Sequence, residues 1–304
     1  MKKLFPLFLS SVHIFGGLST LAGQEVVDPV EAVLDDEVEA NEPDTLESLL
    51  SDLEDILEKE GVPGAGIAIV SRDEDIWVGG MGLADIDRER EADEHTLFRI
   101  GSISKMFVSL SVLKLQEEGA LDLQDTLLDH APEIPFKNRW RETHPIKLVH
   151  LLEHTTGFDD LHFNEYALAE PDIKLKDAYA FNPRSRTSRW KPGTFATYSN
   201  ANPPLGAYVV EKLKGMPFED YVEKEIFDPL GMNTASYFLT PEVESLIATG
   251  YEGTKKNPKP VDYWHIIMRP SGSINASAQE MSHFVRMLIN QGIHGGVPFL
   301  SSES

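Results

Sequence analysis

The sequence predicts a mixed α/β class, and three observations carry that reading: an amphipathic helix near residue 46, a Gly-rich hairpin directly after it, and helical signals that dominate from Ser102 onward. Asp44-Thr45-Leu46-Glu47 has the form of a capping box, and Leu46, Leu49, Leu50, Leu53, Ile56 and Leu57 then recur at helical spacing until Gly61. Gly64 to Val70 and Ile76 to Gly82 are joined by the polar Ser71 to Asp75 and read as a β-hairpin whose glycines allow close backbone packing. Helices follow over Ser102–Glu118, Lys147–His154, Leu205–Lys214, Phe218–Phe227 and Ala278–Gln291, the last opened by a second capping box, Ser277 to Glu280. Between them Phe158 to Thr197 has no sustained period and reads as one long loop carrying Arg184, Arg186, Arg189 and Lys191. Those cations read as a solvated face, with capture of a substrate carboxylate as the alternative.

Residues 1–22 read as a secretory signal: Lys2 and Lys3, an apolar stretch from Leu4 to Leu21, then Thr20-Leu21-Ala22 as a small-residue cleavage site. Residues 23–43 are acidic from Glu25 to Glu42, poor in aromatics, and read as a solvated linker. Residues 44–304 are then the folded domain, exported to the periplasm or outside the cell, with no stable membrane span once the signal is removed. The absence of Cys excludes a disulfide framework and a Cys-ligated metal. A formal charge of −23 argues against nucleic acid as a partner, because phosphate binding needs a basic face.

Ser102-Ile103-Ser104-Lys105, followed by Tyr198-Ser199-Asn200, supplies a nucleophile, a Lys that can take its proton, and a second acid/base on a separate segment. Two other S-x-x-K strings exist, Ser111 to Lys114 and Ser188 to Lys191. Ser102 is preferred because Arg99-Ile100-Gly101 leads through it straight into an apolar run, Ile103, Met106, Phe107, Leu110 and Leu113, which puts it at a helix N-terminus. There, backbone N–H groups and the helix dipole favour the negative charge of acyl transfer. Helical residues three apart have Cβ atoms about 5–6 Å apart, so Lys105 reaches the Ser102 hydroxyl. A rival chemistry is written in His150-Leu151-Leu152-Glu153-His154, an H-x-x-E-H string that would place two His and a Glu for zinc hydrolysis if it lay on one helical face.

Several further segments, in order, carry a family resemblance. They are His95 to Lys105 around the nucleophile, Gly119 to Asp125, Leu151 to Gly157, Pro192-Gly193, Tyr198 to Asn200, Pro229 to Met232, and Gly272-Ser273-Ile274 before the final helix. Together they resemble the serine β-lactamase and penicillin-binding-protein superfamily, in its branch related to class C β-lactamases. The resemblance implies a β-lactamase/transpeptidase-like fold, an antiparallel sheet flanked by helices with a mostly helical insert. It implies Ser102 as nucleophile, Lys105 as general base, Tyr198 as proton shuttle and Asn200 as a hydrogen-bonding partner of the substrate amide, with no metal or organic cofactor. The substrate would be a small-molecule or peptide amide or ester, peptidoglycan fragments included. β-Lactamase, D,D-carboxypeptidase, D-aminopeptidase and esterase are all open, as is a non-catalytic cell-wall-binding chain. The family's third motif, Lys or His then Thr or Ser then Gly on a late strand, has no match; His294-Gly295-Gly296 fits only a looser form. The expectation is therefore an incomplete sheet, C-terminal truncation and weak turnover.

Overall fold

The computed structural model describes residues 45–162, 165, 173–179, 181–301 and 304, and its compact unit runs from Glu47 to Ser304. The signal and linker expected over 1–22 and 23–43, with Asp44, lie outside the described residues.

Helix α1 spans Leu46–Glu60, and the hairpin follows as β1, Gly64–Val70, and β2, Asp75–Asp85, with β2 running three residues beyond the expected Gly82. A short β3, Arg90–Glu91, completes an antiparallel sheet of order β1-β2-β3. Gly64 sits opposite Gly82 and Gly66 opposite Gly80, so the two strands carry little side-chain bulk at these positions. The reason is visible at Gly80, where a Cβ would stand 2.2 Å from the carbonyl carbon and oxygen of Ala92. Those are backbone atoms that cannot rotate away. Gly80→Ala is therefore expected to destabilise the fold by about 1–3 kcal/mol through overpacking, read as a lower melting temperature; an unchanged transition would show that the β2–β3 turn can move aside.

Strand β4, Leu97–Arg99, feeds a 3₁₀ turn, Gly101–Ile103, and then α2, Ser104–Glu117. The insert comprises α3, Leu127–His130; α4, Leu148–Leu152; α5, Leu175–Ala178; α6, Asn202–Lys214; and α7, Phe218–Val222. It continues through a π-helical turn, Glu223–Phe227, into α8, Asp228–Leu230. The helix expected over Phe218–Phe227 is thus interrupted: Pro229 has no N–H to give to the turn before it, and the coil widens where that bond is missing. The chain then forms α9, Pro241–Leu246; the hairpin β5, Gly250–Thr254, and β6, Asn257–Val261; a 3₁₀ turn, Arg269–Ser271; β7, Asn275–Ser277; α10, Ala278–Ile289; and the hairpin β8, Ile293–His294, and β9, Val297–Pro298. The capping box of α10 is present as read, Ser277 accepting from Glu280 N–H and Glu280 accepting from Ser277.

Helix α2 is the centre of the core. Phe107, Val108, Leu110, Val112 and Leu115 are buried, α6 packs along the helix, and Phe107 stacks on Phe284 of α10 with ring centres 4.6 Å apart. Helix α10 also lies against β1 and β2, so one aromatic contact joins the sheet side to the helical insert. The apolar stripe expected on α2 needs correction at its start, because Ile103 and Met106 are 43% and 40% exposed while Val108, Ser111 and Val112 are buried instead. A helix covered on several sides buries more than one stripe, Ser104 and Phe107 of its first turn included, while Ile103 and Met106 point outward. On the other flank, α1 and β1 have no fully buried residue, and Ile56 of α1 is 53% exposed.

The unbroken loop expected over Phe158–Thr197 is also corrected, since α5 lies within it and Lys137 bridges Thr187. Its cations divide. Arg186 is fully buried, donating to the carbonyls of Pro135 and Tyr179 with the Glu165 carboxylate 3.7 Å away. Burial holds the Glu165 carboxyl above its usual range and pulls the Arg186 guanidinium down. Arg189 pairs with Asp159, whereas Arg184 and Lys191 are exposed. Arg186 is therefore a strut between the loop and the insert, which a solvated face would not be.

Candidate active site

The antiparallel pair β4–β7, with Leu97 opposite Ser277 and Arg99 opposite Asn275, ties the entry of α2 to the entry of α10. It holds the Gly101–Ile103 turn in place, and Ile100 N–H donates to Ile274 O at 2.9 Å. Gly101 takes φ +55°, a left-handed conformation that lets the chain swing from the strand into the helix and that a side chain would strain. Ser102 follows it, exposed, in the turn before α2.

Ser102 Oγ lies 2.7 Å from Tyr198 Oη, and Lys105 Nζ donates to Ser102 Oγ at 2.9 Å. The one-turn spacing read from the sequence thus brings Lys105 to Ser102, and a segment almost a hundred positions later brings Tyr198. Lys105 Nζ also donates to the carbonyl of Ser271 at 2.5 Å, which fixes the end of its long side chain. Tyr198 is half exposed, with Oη 3.3 Å from Asn200 Oδ1, and Asn200 is buried. All four expected site residues are therefore together. The two competing strings are not at the site: Ser111 is buried in α2 and donates to Phe107 O, and Ser188 is buried and donates to Thr156 O.

The H-x-x-E-H arrangement fails on backbone geometry. Helix α4 ends at Leu152 and His154 has φ 57°, so His150 and His154 do not share a helical face. His150 Nδ1 accepts from Lys147 N–H, capping α4. His154 Nδ1 lies 3.3 Å from Ser199 N and 3.2 Å from Asn202 Nδ2, two donors that leave the ring proton on Nε2. Among the described residues no group of three or more His, Cys, Asp or Glu side chains is placed to hold a metal. His154 instead supports the site, its ring centre 4.7 Å from that of Tyr198.

Burial, then the charge of Lys147, holds His150 below the usual His range; burial, then the charge of Lys105, does the same for His154. Both rings are neutral in the fold and take up protons more readily when unfolded. Their contribution to stability is therefore fully present above the ordinary value of 6.5 and is lost as pH falls below it toward the depressed folded values. Melting temperature should decline from pH 7.5 to 5.5, more steeply in the wild type than in His154→Gln. Equal slopes in the two proteins would contradict the assignment to His154.

Residues that sequence reasoning missed are Ser271, whose carbonyl takes Lys105 Nζ and whose hydroxyl donates to Asn200 O at 2.7 Å, and Asp160, whose carboxylate takes the Asn200 amide. Neither lies in a recognisable string, although Asp160 follows Thr155-Thr156-Gly157 closely. His294 sits in the β8–β9 hairpin with its ring 5.8 Å from His283 of α10, and it makes no hydrogen bond to Ser102, Lys105 or Tyr198. A cavity of about 750 Å³ beside β1 and β4 is lined by Phe98, Arg99, Tyr263 and Trp264 among others, and Ser102, Lys105 and Tyr198 are not part of that lining.

A Ser–Lys–Tyr cluster at the start of a helix, beside an antiparallel sheet with a helical insert, is the arrangement of the serine acyl-transfer enzymes. The chain belongs to the beta-lactamase family, whose model matches residues 47–298. It is 26% identical over 232 residues to a beta-lactamase of Yersinia enterocolitica, covering 76% of this chain and 56% of that protein. In structure it is similar to an octameric penicillin-binding protein homologue from Pyrococcus abyssi, at 26% identity and TM-score 0.73, covering 84% of this chain and 58% of the other. EstCE1, described as a hydrolase with promiscuous acyltransferase activity, shares the fold at 20% identity and TM-score 0.71, covering 84% and 74% of the two chains. The β-lactamase/transpeptidase fold expected from the motifs is thus the fold of this chain, which spans little more than half the length of the Yersinia relative. No helix among the described residues is long and apolar enough to cross a membrane.

Proposed function

We propose that the protein is an exported serine hydrolase that cleaves amide or ester bonds through an acyl-enzyme on Ser102. The observation that carries this reading is the meeting of three groups at one oxygen: Ser102 Oγ with Lys105 Nζ at 2.9 Å and Tyr198 Oη at 2.7 Å. Ser102 Oγ attacks the carbonyl carbon and gives up its proton to Lys105 Nζ, acting from its unprotonated form, as the new C–O bond forms. The developing oxyanion is held by backbone N–H groups at the start of α2, that of Ser102 included. The carbonyl then re-forms, the bond to the leaving nitrogen or oxygen breaks, and the proton passes through Tyr198 to that atom. Water attacks the ester in the second half, with the same two groups returning the proton to Ser102.

The wild type and Ser102→Ala should be offered a p-nitrophenyl ester, a chromogenic cephalosporin and a peptide ending in D-Ala-D-Ala. A pre-steady-state burst on one or more, absent in Ser102→Ala, is the expected result and identifies the substrate class. Hydrolysis that persists in Ser102→Ala, or no reaction with any acyl donor in the folded wild type, would refute the reading and leave a binding role.

A further inference from the structure

We infer that His154 is a positioning residue that clamps Tyr198 from both sides of its backbone, and that the clamp holds only while the imidazole is unprotonated. For its kinetic meaning this rests on the proposed chemistry at Ser102, though its geometry does not. Tyr198 lies in an irregular stretch, Phe195 to Ser199 having neither helix nor strand, and every residue from Gly193 to Tyr198 is exposed. Such a segment has no ladder of its own to fix a side chain. His154 supplies the fixing. Its carbonyl accepts from Thr197 N–H at 2.9 Å, its Nδ1 accepts from Ser199 N–H at 3.3 Å, and its ring centre lies 4.7 Å from that of Tyr198. One residue therefore meets the residue before Tyr198, the residue after it and the Tyr198 ring itself.

The clamp is built into the turn that ends α4. His154 has φ 57°, a left-handed conformation, and with it both the carbonyl and the ring face the Tyr198 segment. Asn202 Nδ2 approaches the same Nδ1 at 3.2 Å, and Asn202 Oδ1 accepts from the Thr156 hydroxyl at 2.8 Å, so the ring is held from two segments. Alongside, Gly193 N–H donates to Thr155 O at 2.8 Å and Ser199 Oγ donates to Asp159 O at 2.7 Å. Those bonds join peptide and hydroxyl groups that do not titrate near neutral pH. The two bonds to Nδ1 are the ones in this set that a proton can break.

A backbone N–H only donates, so Nδ1 must keep its lone pair for the Ser199 bond to exist, and a protonated imidazole turns Nδ1 into a donor facing Ser199 N–H and Asn202 Nδ2. The charged groups facing the ring are Lys105 of α2, which opposes its protonation, and Asp160 of the segment that follows, which favours it; Tyr198 is the titratable group packed on its face. Burial, then the Lys105 charge, hold the ring below the usual His range, so the clamp is closed at neutral pH and opens as the pH falls. Acylation therefore depends on two protons in acid. One must be absent from Lys105 for it to act as base, and the other absent from His154 for Tyr198 to stay in place.

The unreacted protein gives the first test. By ¹H–¹⁵N NMR at pH 7.5, Ser199 N–H should exchange at least about tenfold faster in His154→Ala than in the wild type. In His154→Asn it should stay protected, because Asn tolerates the left-handed backbone and its Oδ1 can accept where Nδ1 does. Equal exchange in the wild type and His154→Ala would overturn the inference whether or not Ser102 is acylated. The second test follows acylation by an activated ester from pH 7.5 down to pH 4.5, over the range in which near-ultraviolet circular dichroism shows the fold intact. The logarithm of the wild-type rate should fall with a slope of one per pH unit while the unprotonated fraction of Lys105 alone sets it, and steepen toward two below the His154 step. In His154→Asn, which cannot titrate at this position, the slope should stay at one. At pH 7.5 His154→Ala should acylate on the order of 10–10²-fold more slowly, the scale of a misplaced reacting group, with probe affinity unchanged and most of the loss recovered in His154→Asn. A wild-type slope that never exceeds one, equal steepening in His154→Asn, or a rate loss that follows melting temperature across the variants would leave His154 a structural role only and overturn the inference.

Discussion

Lys105→Arg is expected to slow acylation of Ser102 by roughly 10²–10⁴-fold, the range for loss of a general base, with the melting temperature close to that of the wild type. Arg keeps the positive charge and some of the hydrogen-bonding reach, so it can still lie near the Ser271 carbonyl that Lys105 now contacts at 2.5 Å. What it cannot do is lose a proton near neutral pH. The substitution therefore separates charge from basicity, which Lys105→Ala does not. Stopped-flow labelling with an activated ester measures the difference, and a variant that keeps more than about a tenth of the wild-type rate would remove Lys105 from the base role.

The largest loss of stability is expected from Glu219→Ala. Glu219 on α7 accepts from Arg269 Nε at 2.5 Å, with side chains only 6% and 8% exposed, and Arg269 also donates to Ile173 O at 2.9 Å. Removing one partner of a buried ion pair costs about 3–5 kcal/mol, to the extent that the remaining contacts of Arg269 do not take up its charge. For a domain of this size that corresponds to about 6–20 °C in melting temperature. The effect should reach the active site as well, because Arg269 opens the 3₁₀ turn whose Ser271 carbonyl holds Lys105. Thermal unfolding and acylation should fall together in Glu219→Ala and recover partly in Glu219→Gln. A melting temperature within about 2 °C of the wild type would mean that other contacts of Arg269, or solvent, satisfy its charge once Glu219 is gone.

Local signals were legible where physics is local. The α1 periodicity, the β1–β2 hairpin, the α10 capping box and the one-turn spacing of Ser102 and Lys105 are all set by residues within a few positions of one another. The β4–β7 pair escaped notice because each strand has three residues and the partners lie almost 180 positions apart, leaving no period to detect. The β5–β6 hairpin escaped for another reason: its turn is Lys255-Lys256, neither residue has positive φ, and Pro258 and Pro260 argue against a strand. In the site, the groups that do chemistry were visible as strings, and those that hold them were not. Asp160 and Ser271 act through contacts with residues far from them in sequence, Arg186 reads as a surface cation until Glu165 is placed beside it, and His154 looks like a metal ligand until α4 is seen to end at Leu152.

The central claim is that Ser102 is the acylated residue, and mass spectrometry after reaction with a penicillin or an activated ester tests it most directly. The proteolysed adduct should map to the peptide containing Ser102, at one equivalent per chain, and should vanish in Ser102→Ala while Ser111→Ala and Ser188→Ala label normally. An adduct on Ser111 or Ser188 with Ser102 unmodified, or labelling that survives Ser102→Ala, would contradict the account.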